Sequence, residues 1–385
     1  MDSQRTIRHM GNIGAGLGRR RSLSERLHID TPLLFALMVL IGFGLMVLYS
    51  ATDGNPAEMR RQVIFIGLAI VMMFVVAQID IRVMRRWAPW MYLGGLSMLV
   101  AVLFVGTKSN GAQRWLDFPG LPRFQPSEAM KVLLPLTLAS YFSRRPIPPK
   151  FKHIFWGLVL MGMPTVLISM QPDLGTALLI AVSGVFVLLL SGLRWKLIFS
   201  ALGVVILSGP AIWIFYMKDY QKQRVLTFIN PESEPLGAGW NIIQSKTAIG
   251  AGGIDGKGWL NGVQSRLDFL PEGQTDFILA VLAEEFGLLG VLFLLALYIV
   301  IVGRGLYIGA VAQDMFSRLL AGSITLTFFV YVFVNIGMVT GLLPVVGVPL
   351  PMVSLGGTSI ITLMIGFGIL MSIHTHGKAS LTSPI

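Results

Sequence analysis

The sequence predicts an all-α integral membrane protein with about ten transmembrane helices and one long extracytoplasmic loop between the seventh and the eighth. Three observations carry this. Hydrophobic residues fill 54% of the 385 positions and charged residues only 13%, with a mean hydropathy of +0.73, which is far too apolar for a soluble globular domain. The apolar residues gather into ten runs, each close to the roughly 20 residues that a helix needs to cross the hydrocarbon. The longest interval between runs, 218–276, contains Trp240, Ile242, Ile243, Trp259 and Phe269. That content predicts an ordered loop lying on the membrane surface, since long connections are usually either functional or disordered.

Residues 1–30 carry Arg5, Arg8, Arg19, Arg20, Arg21 and Arg26 among glycines and serines, with no apolar centre and no small-residue cleavage site. They read as a basic cytoplasmic tail rather than a signal peptide. Gly11 to Gly18 lacks the preceding strand and the spacing of a dinucleotide loop and reads as flexible. The apolar runs follow at 31–51, 62–80, 87–106, 127–143, 154–171, 174–192, 197–217, 277–303, 316–340 and 351–374. Together, 31–374 form one membrane domain, and 375–385 form a second tail on the same side as the first. The short connections with Arg82, Arg85 and Arg86 and with Arg144, Arg145, Lys150 and Lys152 mark that side as cytoplasmic. The least regular pair of runs meets at Gln171-Pro172-Asp173, where a tight turn between two spans and a re-entrant pair are both open.

The net charge of +11 is distributed among the connections instead of forming one stripe, so it speaks for topology and anionic lipid rather than nucleic acid. The absence of cysteine excludes disulfides, thiol catalysis and Cys-based metal sites, and the five histidines lack ligand spacing. No internal repeat stands out, which lowers the case for an inverted-repeat transporter. The run Gly250-Ala251-Gly252-Gly253 has no Gly-Lys-Ser/Thr ending and is not a nucleotide loop.

Few ionisable residues are left inside the apolar runs, and such groups are functional candidates by default. Asp276 stands where the long loop becomes the eighth span; it is either a helix N-cap or a carboxylate desolvated on one side and open to a charged ligand on the other. Glu284 and Glu285 lie about 12 to 14 Å further along the same helix at 1.5 Å per residue and read as structural or protonated. Glu128 and Lys131, at i and i+3 in the fourth span, share one helical face. They are either a buried pair that fixes the helix or, with Arg114 nearby, part of a cationic site suited to a diphosphate. Asp173 reads as the cap of the sixth span. The segment Leu343 to Pro351, followed by Ser354 to Ser359, is too rich in Gly and Pro for a continuous helix. Broken backbone at membrane depth requires protein or a polar cavity to receive its hydrogen-bonding groups, which places a cavity beside the last two spans, with Asn335 and Thr340 able to line it or to pack helices.

Gln125 to Lys131, Gln171 to Thr176, Gly258 to Ser265, Leu270 to Phe277 and Val334 to Pro351 together give the chain a resemblance, over nearly its whole length, to the SEDS family (shape, elongation, division and sporulation). The run Gly258-Trp259-Leu260-Asn261-Gly262-Val263-Gln264-Ser265 and the closing Ser372-Ile373-His374-Thr375-His376 are similar to the elongation branch rather than the division branch; the basic N-terminal tail is longer than that branch leads one to expect. The resemblance implies a ten-span peptidoglycan glycosyltransferase that polymerises lipid II on the outer face of the bacterial inner membrane. It implies a class B penicillin-binding protein as partner within the elongation complex, and a divalent metal ion, Mg²⁺ or Mn²⁺, as cofactor. The family's essential aspartate falls on Asp276 and its proposed substrate residues on Arg114, Glu128 and Lys131; Gln125, Gln244 and Lys246 are added as substrate-binding candidates.

Joining an α-linked lipid diphosphate to a β-1,4 product inverts the anomeric centre, so the acceptor 4-hydroxyl needs a base and the departing diphosphate needs positive charge. Asp276 is the candidate base, or the ligand of the metal; Arg114, Lys131 and Lys246 are the candidate cations. Two lipid tails must arrive from the side, which favours a groove open to the bilayer. Two other readings use the same features: a lipid II flippase, which makes no bond, and a scaffold that only docks the penicillin-binding protein.

Overall fold

The computed structural model describes residues 27–382 except 110–111, 118–122, 218, 231–237 and 264–271. The basic tail up to Arg26, together with Gln264, Ser265, Arg266, Asp268, Phe269, Leu270 and Pro271 of the long loop, lies outside the described residues.

Each of the ten apolar runs contains one helix: α1 Thr31–Ala51, α2 Pro56–Ala77, α3 Ile81–Val105, α4 Pro126–Phe142, α5 Phe151–Met170, α6 Leu174–Leu190, α7 Trp195–Ala211, α10 Ile278–Val311, α11 Met315–Val339 and α12 Gly357–Thr382. By length and composition, seven of these can cross a membrane. The other three, α4, α6 and α7, have 17 residues each, the short end of what spans the hydrocarbon. A two-stranded antiparallel hairpin, β1 Thr107–Ser109 and β2 Ala112–Trp115, sits between α3 and α4.

Helix starts follow local chemistry. Asp30, Asn55, Asp80, Asp173 and Asp314 each accept a backbone N–H of the first turn of α1, α2, α3, α6 and α11, satisfying donors that have no partner inside the helix. These caps explain why α2 and α3 begin earlier than hydropathy alone predicts: the charged first turns of Pro56–Arg61 and Ile81–Arg86 are polar yet already helical. Packing is close where glycine meets backbone. A Cβ on Gly368 of α12 would lie 2.5 Å from the Met73 carbonyl of α2, an approach that only a small residue allows.

The structure refines one expectation and corrects another. The interval 218–276 is ordered where it is described, with α8 Asp219–Ile229 and α9 Ala238–Gly252, and α9 packs on α10 and α11. The eighth span is not continuous, because Gly287 has φ 62° and ψ −161° and divides α10 into a short N-terminal helix, Ile278 to Phe286, and a long one from Leu288.

The irregular segment between α11 and α12 is present as predicted, with α12 starting only at Gly357. Its backbone finds partners in side chains from three other helices and in one of its own. Asn335 Nδ2 donates to the Val348 carbonyl at 2.8 Å, Tyr298 Oη to that of Pro351 at 2.7 Å, and Ser354 Oγ accepts from Leu350 N at 2.8 Å. Gln62 reaches across from α2, donating to the Ser354 carbonyl and accepting from Gly356 N, both at 3.3 Å. Irregular backbone inside a membrane domain is tolerated when its polar groups are met in this way.

Candidate functional site

Two polar clusters meet at this irregular segment. The first is built on the start of α4. Lys131 Nζ lies 2.5 Å from Glu128 Oε1, and both side chains are over nine-tenths buried. Lys131 also stands 4.7 Å above the Tyr331 ring of α11, a cation–π placement. The other carboxylate oxygen, Glu128 Oε2, is buried without a hydrogen-bond partner among the described residues. A buried carboxylate oxygen left this way is costly and marks a place where a ligand hydroxyl can donate.

Beside this pair, Arg114 of β2 grips the turn before α6. Its Nε donates to the Gln171 carbonyl at 3.3 Å, its Nη2 to that of Pro172, and its Nη1 lies 3.8 Å from Asp173 Oδ2. Gln125 Nε2 donates to the same Asp173 oxygen at 3.3 Å. Asp173 thus does two jobs: Oδ1 caps α6 through Thr176 N at 3.2 Å, and Oδ2 faces Arg114 and Gln125. The cap was legible from sequence. The second job was not, because its partners, Arg114 of the hairpin and Gln125 before α4, are remote in sequence; Tyr331 likewise carried no signal beyond its place in an apolar helix.

The second cluster surrounds Asp276. This residue precedes α10 in a turn closed by Phe277 N donating to the Glu272 carbonyl at 3.1 Å. The N-cap position of α10 is occupied by Phe277, one residue further on. Side chains of other elements hold the Asp276 backbone. Asn335 Nδ2 donates to the Asp276 carbonyl at 2.8 Å while also holding Val348, and Ser354 Oγ donates to the Thr275 carbonyl at 2.5 Å. A Cβ on Gly347, at φ +73°, would lie 3.5 Å from Asp276 Oδ2, so the carboxylate borders the broken segment and is half-buried.

Tyr331 and Asn335 lie one turn apart on α11, about 6 Å along its axis. That single helix face therefore joins the Lys131 cluster to the Asp276 cluster. The small buried group Leu179, Tyr331 and Val348 fills the space between. Lys246 of α9 is exposed, with its chain end against Gly341 just after α11, where a Cβ would come within 2.7 Å of Nζ. Gln244, two residues earlier, projects from another side of α9 and is half-buried; the structure does not bring it into the Arg114–Lys131 cluster among the described residues. Glu284 and Glu285 are fully buried. Glu284 accepts from Lys257 Nζ at 2.7 Å and from Val263 N at 2.9 Å, and Glu285 accepts from Ser50 Oγ; both are structural in this sense.

Among the described residues no three His, Asp or Glu side chains stand together as a metal-holding group. Among the described residues, Asp276 is not joined to two further carboxylate or imidazole groups in a metal-holding set. An apolar cavity of about 390 Å³ runs between α2, α3, α4 and α12. Its end at Phe124 and Ala129 adjoins Gln125 and Glu128, and Thr358, Ile361 and Met91 continue its walls.

These features define a multi-pass helical membrane protein with a charged site walled by a broken segment and an apolar cavity beside it. The chain belongs to the FtsW, RodA and SpoVE cell cycle protein family, whose model matches residues 31–379. It is 54% identical to the peptidoglycan glycosyltransferase MrdB of Escherichia coli K12, over 93% of this chain and 97% of that one. It is 36% identical to a probable peptidoglycan glycosyltransferase FtsW of Geobacter metallireducens, over 94% and 99%. Among solved structures, a chain of a peptidoglycan synthase complex in which polymerization and crosslinking are coordinated superposes with a TM-score of 0.81 at 30% identity, covering 90% of this chain and 98% of that one. The crystal structure of the Thermus thermophilus rod shape determining protein RodA gives 0.69 at 27% identity, over 90% and 97%.

Proposed function

We propose that this chain is a peptidoglycan glycosyltransferase that polymerises lipid II during cell elongation. The single observation that carries the reading is the 54% identity to a peptidoglycan glycosyltransferase along almost the full length of both chains. The site supports it chemically. Asp276 takes the proton from the acceptor 4-hydroxyl as that oxygen attacks the donor's anomeric carbon. The bond from that carbon to the diphosphate breaks, and the diphosphate leaves with the electron pair, so the product is inverted. Lys131 and Arg114 supply the positive side of the site. Both are internally paired in the resting state, so the diphosphate enters by competing with Glu128 and Asp173 rather than by meeting bare cations. The unpartnered oxygen of Glu128 accepts from a sugar hydroxyl, and the lipid chain lies in the cavity that opens beside it.

The divalent cation expected from the family resemblance arrives, on this reading, with the substrate's own diphosphate, and the protein's contribution is carried by the residues named. The active face is the outer one, and both termini are cytoplasmic. The partner is a class B penicillin-binding protein, a pairing of the kind that a coordinated polymerising and crosslinking complex requires.

Purified protein with lipid II and its transpeptidase partner tests the reading. Wild type forms glycan polymer, and Asp276→Asn loses at least about 10²-fold of the rate, the usual contribution of a general base. No polymer from wild type, or normal polymer from Asp276→Asn, overturns it; lipid scrambling in vesicles without polymer would favour a flippase instead.

A further inference from the structure

The carboxylate that the mechanism uses stands just before a short helix with its own fastening, and the fastening includes the Lys257–Glu284 salt bridge. At the Gly287 break, the backbone groups that a continuous helix would pair internally are taken by residues 253–258. Lys257 N donates to the Glu284 carbonyl at 3.0 Å and Gly258 N to that of Glu285 at 2.9 Å. In return, Leu288 N and Leu289 N donate to the carbonyls of Gly253 and Ile254 at 3.0 and 3.2 Å. The strap therefore runs through the gap between the two parts of α10. Contact is backbone to backbone: a Cβ on Gly256 would lie 2.2 Å from the Glu285 carbonyl, and one on Gly287 would lie 2.4 Å from Gly256 N.

Side chains lock the strap in place. Glu284 has no exposed surface and binds both Lys257 Nζ and Val263 N, so one carboxylate holds the strap at two points. Trp259, between them, donates to the Met46 carbonyl at 3.1 Å and anchors the strap to α1. At the other end of the short helix, Asn335 and Ser354 hold the Asp276 and Thr275 carbonyls. The helix is thus fixed at its N-terminal end by the broken segment and at its C-terminal end by the strap, whose bonds bridge the Gly287 break.

Building on the polymerase reading above, we propose that Glu284 is a positioning residue: through Lys257 and the Val263 amide it clamps the 253–263 strap onto the short helix and so sets where the Asp276 carboxylate stands. A carboxylate misplaced by about 1 Å costs on the order of 10²-fold in rate without weakening substrate binding, so the signature is a fall in kcat at constant KM.

The experiment compares Glu284→Gln, Lys257→Met and the double variant in the full-length protein with its partner, reading lipid II polymerisation kinetics and the Tm in detergent. Each single variant lowers kcat about tenfold or more with KM for lipid II unchanged, and the double variant is no slower than the worse single one, because both remove one clamp. Lys257, partly exposed, gives a variant that folds even where Glu284→Gln does not. Unchanged kcat in either folded variant, or a lower Tm with kcat retained, overturns the positioning role. Loss of polymer from wild type itself would instead strike the function on which it rests.

Discussion

Lys131 and Glu128 are neighbours on one helix turn whose value depends on being kept together. Each is buried beyond nine-tenths, so removing one leaves the other charged and desolvated, which costs about 3 to 5 kcal/mol. Lys131→Met is therefore expected to lower the Tm strongly as well as abolish polymerisation. The double variant Glu128→Gln, Lys131→Met restores most of the Tm, since both charges are gone, but restores no activity. A double variant as unstable as Lys131→Met would show that the pair's burial is not what makes the single change costly. The sequence exposed the pairing because i and i+3 always share a helix face. It did not expose the Arg114–Asp173 contact, nor the fact that Arg114 is already engaged by the Gln171 and Pro172 carbonyls, since those depend on how the β1–β2 hairpin folds back on α6.

At the scale of elements, the ten helices were legible because the hydrocarbon imposes a length and a composition on anything that crosses it. The broken segment before α12 was legible for a local reason too: Pro344, Pro349 and Pro351 cannot belong to one helix. The break in α10 was hidden. Gly287 is one glycine in a long apolar run, with Gly290, Gly303 and Gly305 also in that helix, and what turns it into a break is the strap at 253–258, whose insertion no periodicity records. Its conformation is one that only glycine adopts without strain, at about 1 to 3 kcal/mol for other residues. Gly287→Ala adds a backbone clash to that strain, so we expect a loss of at least about 3 kcal/mol, while Gly303→Ala, which meets nothing within 4 Å, leaves the protein as stable as wild type. Equal melting temperatures for the two variants would mean that the strap yields.

Over the whole molecule, an ion cluster at the end opposite the Asp276 site ties the long part of α10 to α1 and α12. Asp30, just before α1 and inaccessible to solvent, receives Arg304 of α10 through two bonds, Nε to Oδ1 at 3.0 Å and Nη2 to Oδ2 at 2.7 Å. His374 of α12 stands 2.5 Å from the same Oδ2, and the His28 and His376 rings stack 4.1 Å apart alongside. Three helices remote in sequence are thereby tied at one point. Burial pushes the Asp30 carboxyl up, but the bonds from His374, Arg304 and the Leu33 amide outweigh it and hold the group well below the usual carboxylate range. A folded pKa below the unfolded one means stabilisation that is fully present above the unfolded value and is lost as pH falls through the folded one. The tie is therefore at full strength at neutral pH and weakens only below roughly pH 4, where a free aspartate would already be protonated. Asp30→Asn leaves Arg304 without its counter-charge and is expected to cost about 3 kcal/mol, read as a lower Tm at neutral pH that approaches that of wild type in acid. Since Asp30 touches no reacting group, polymerisation by the folded variant keeps its KM. A Tm equal to wild type at neutral pH would show that the helices are held at that end by apolar packing alone.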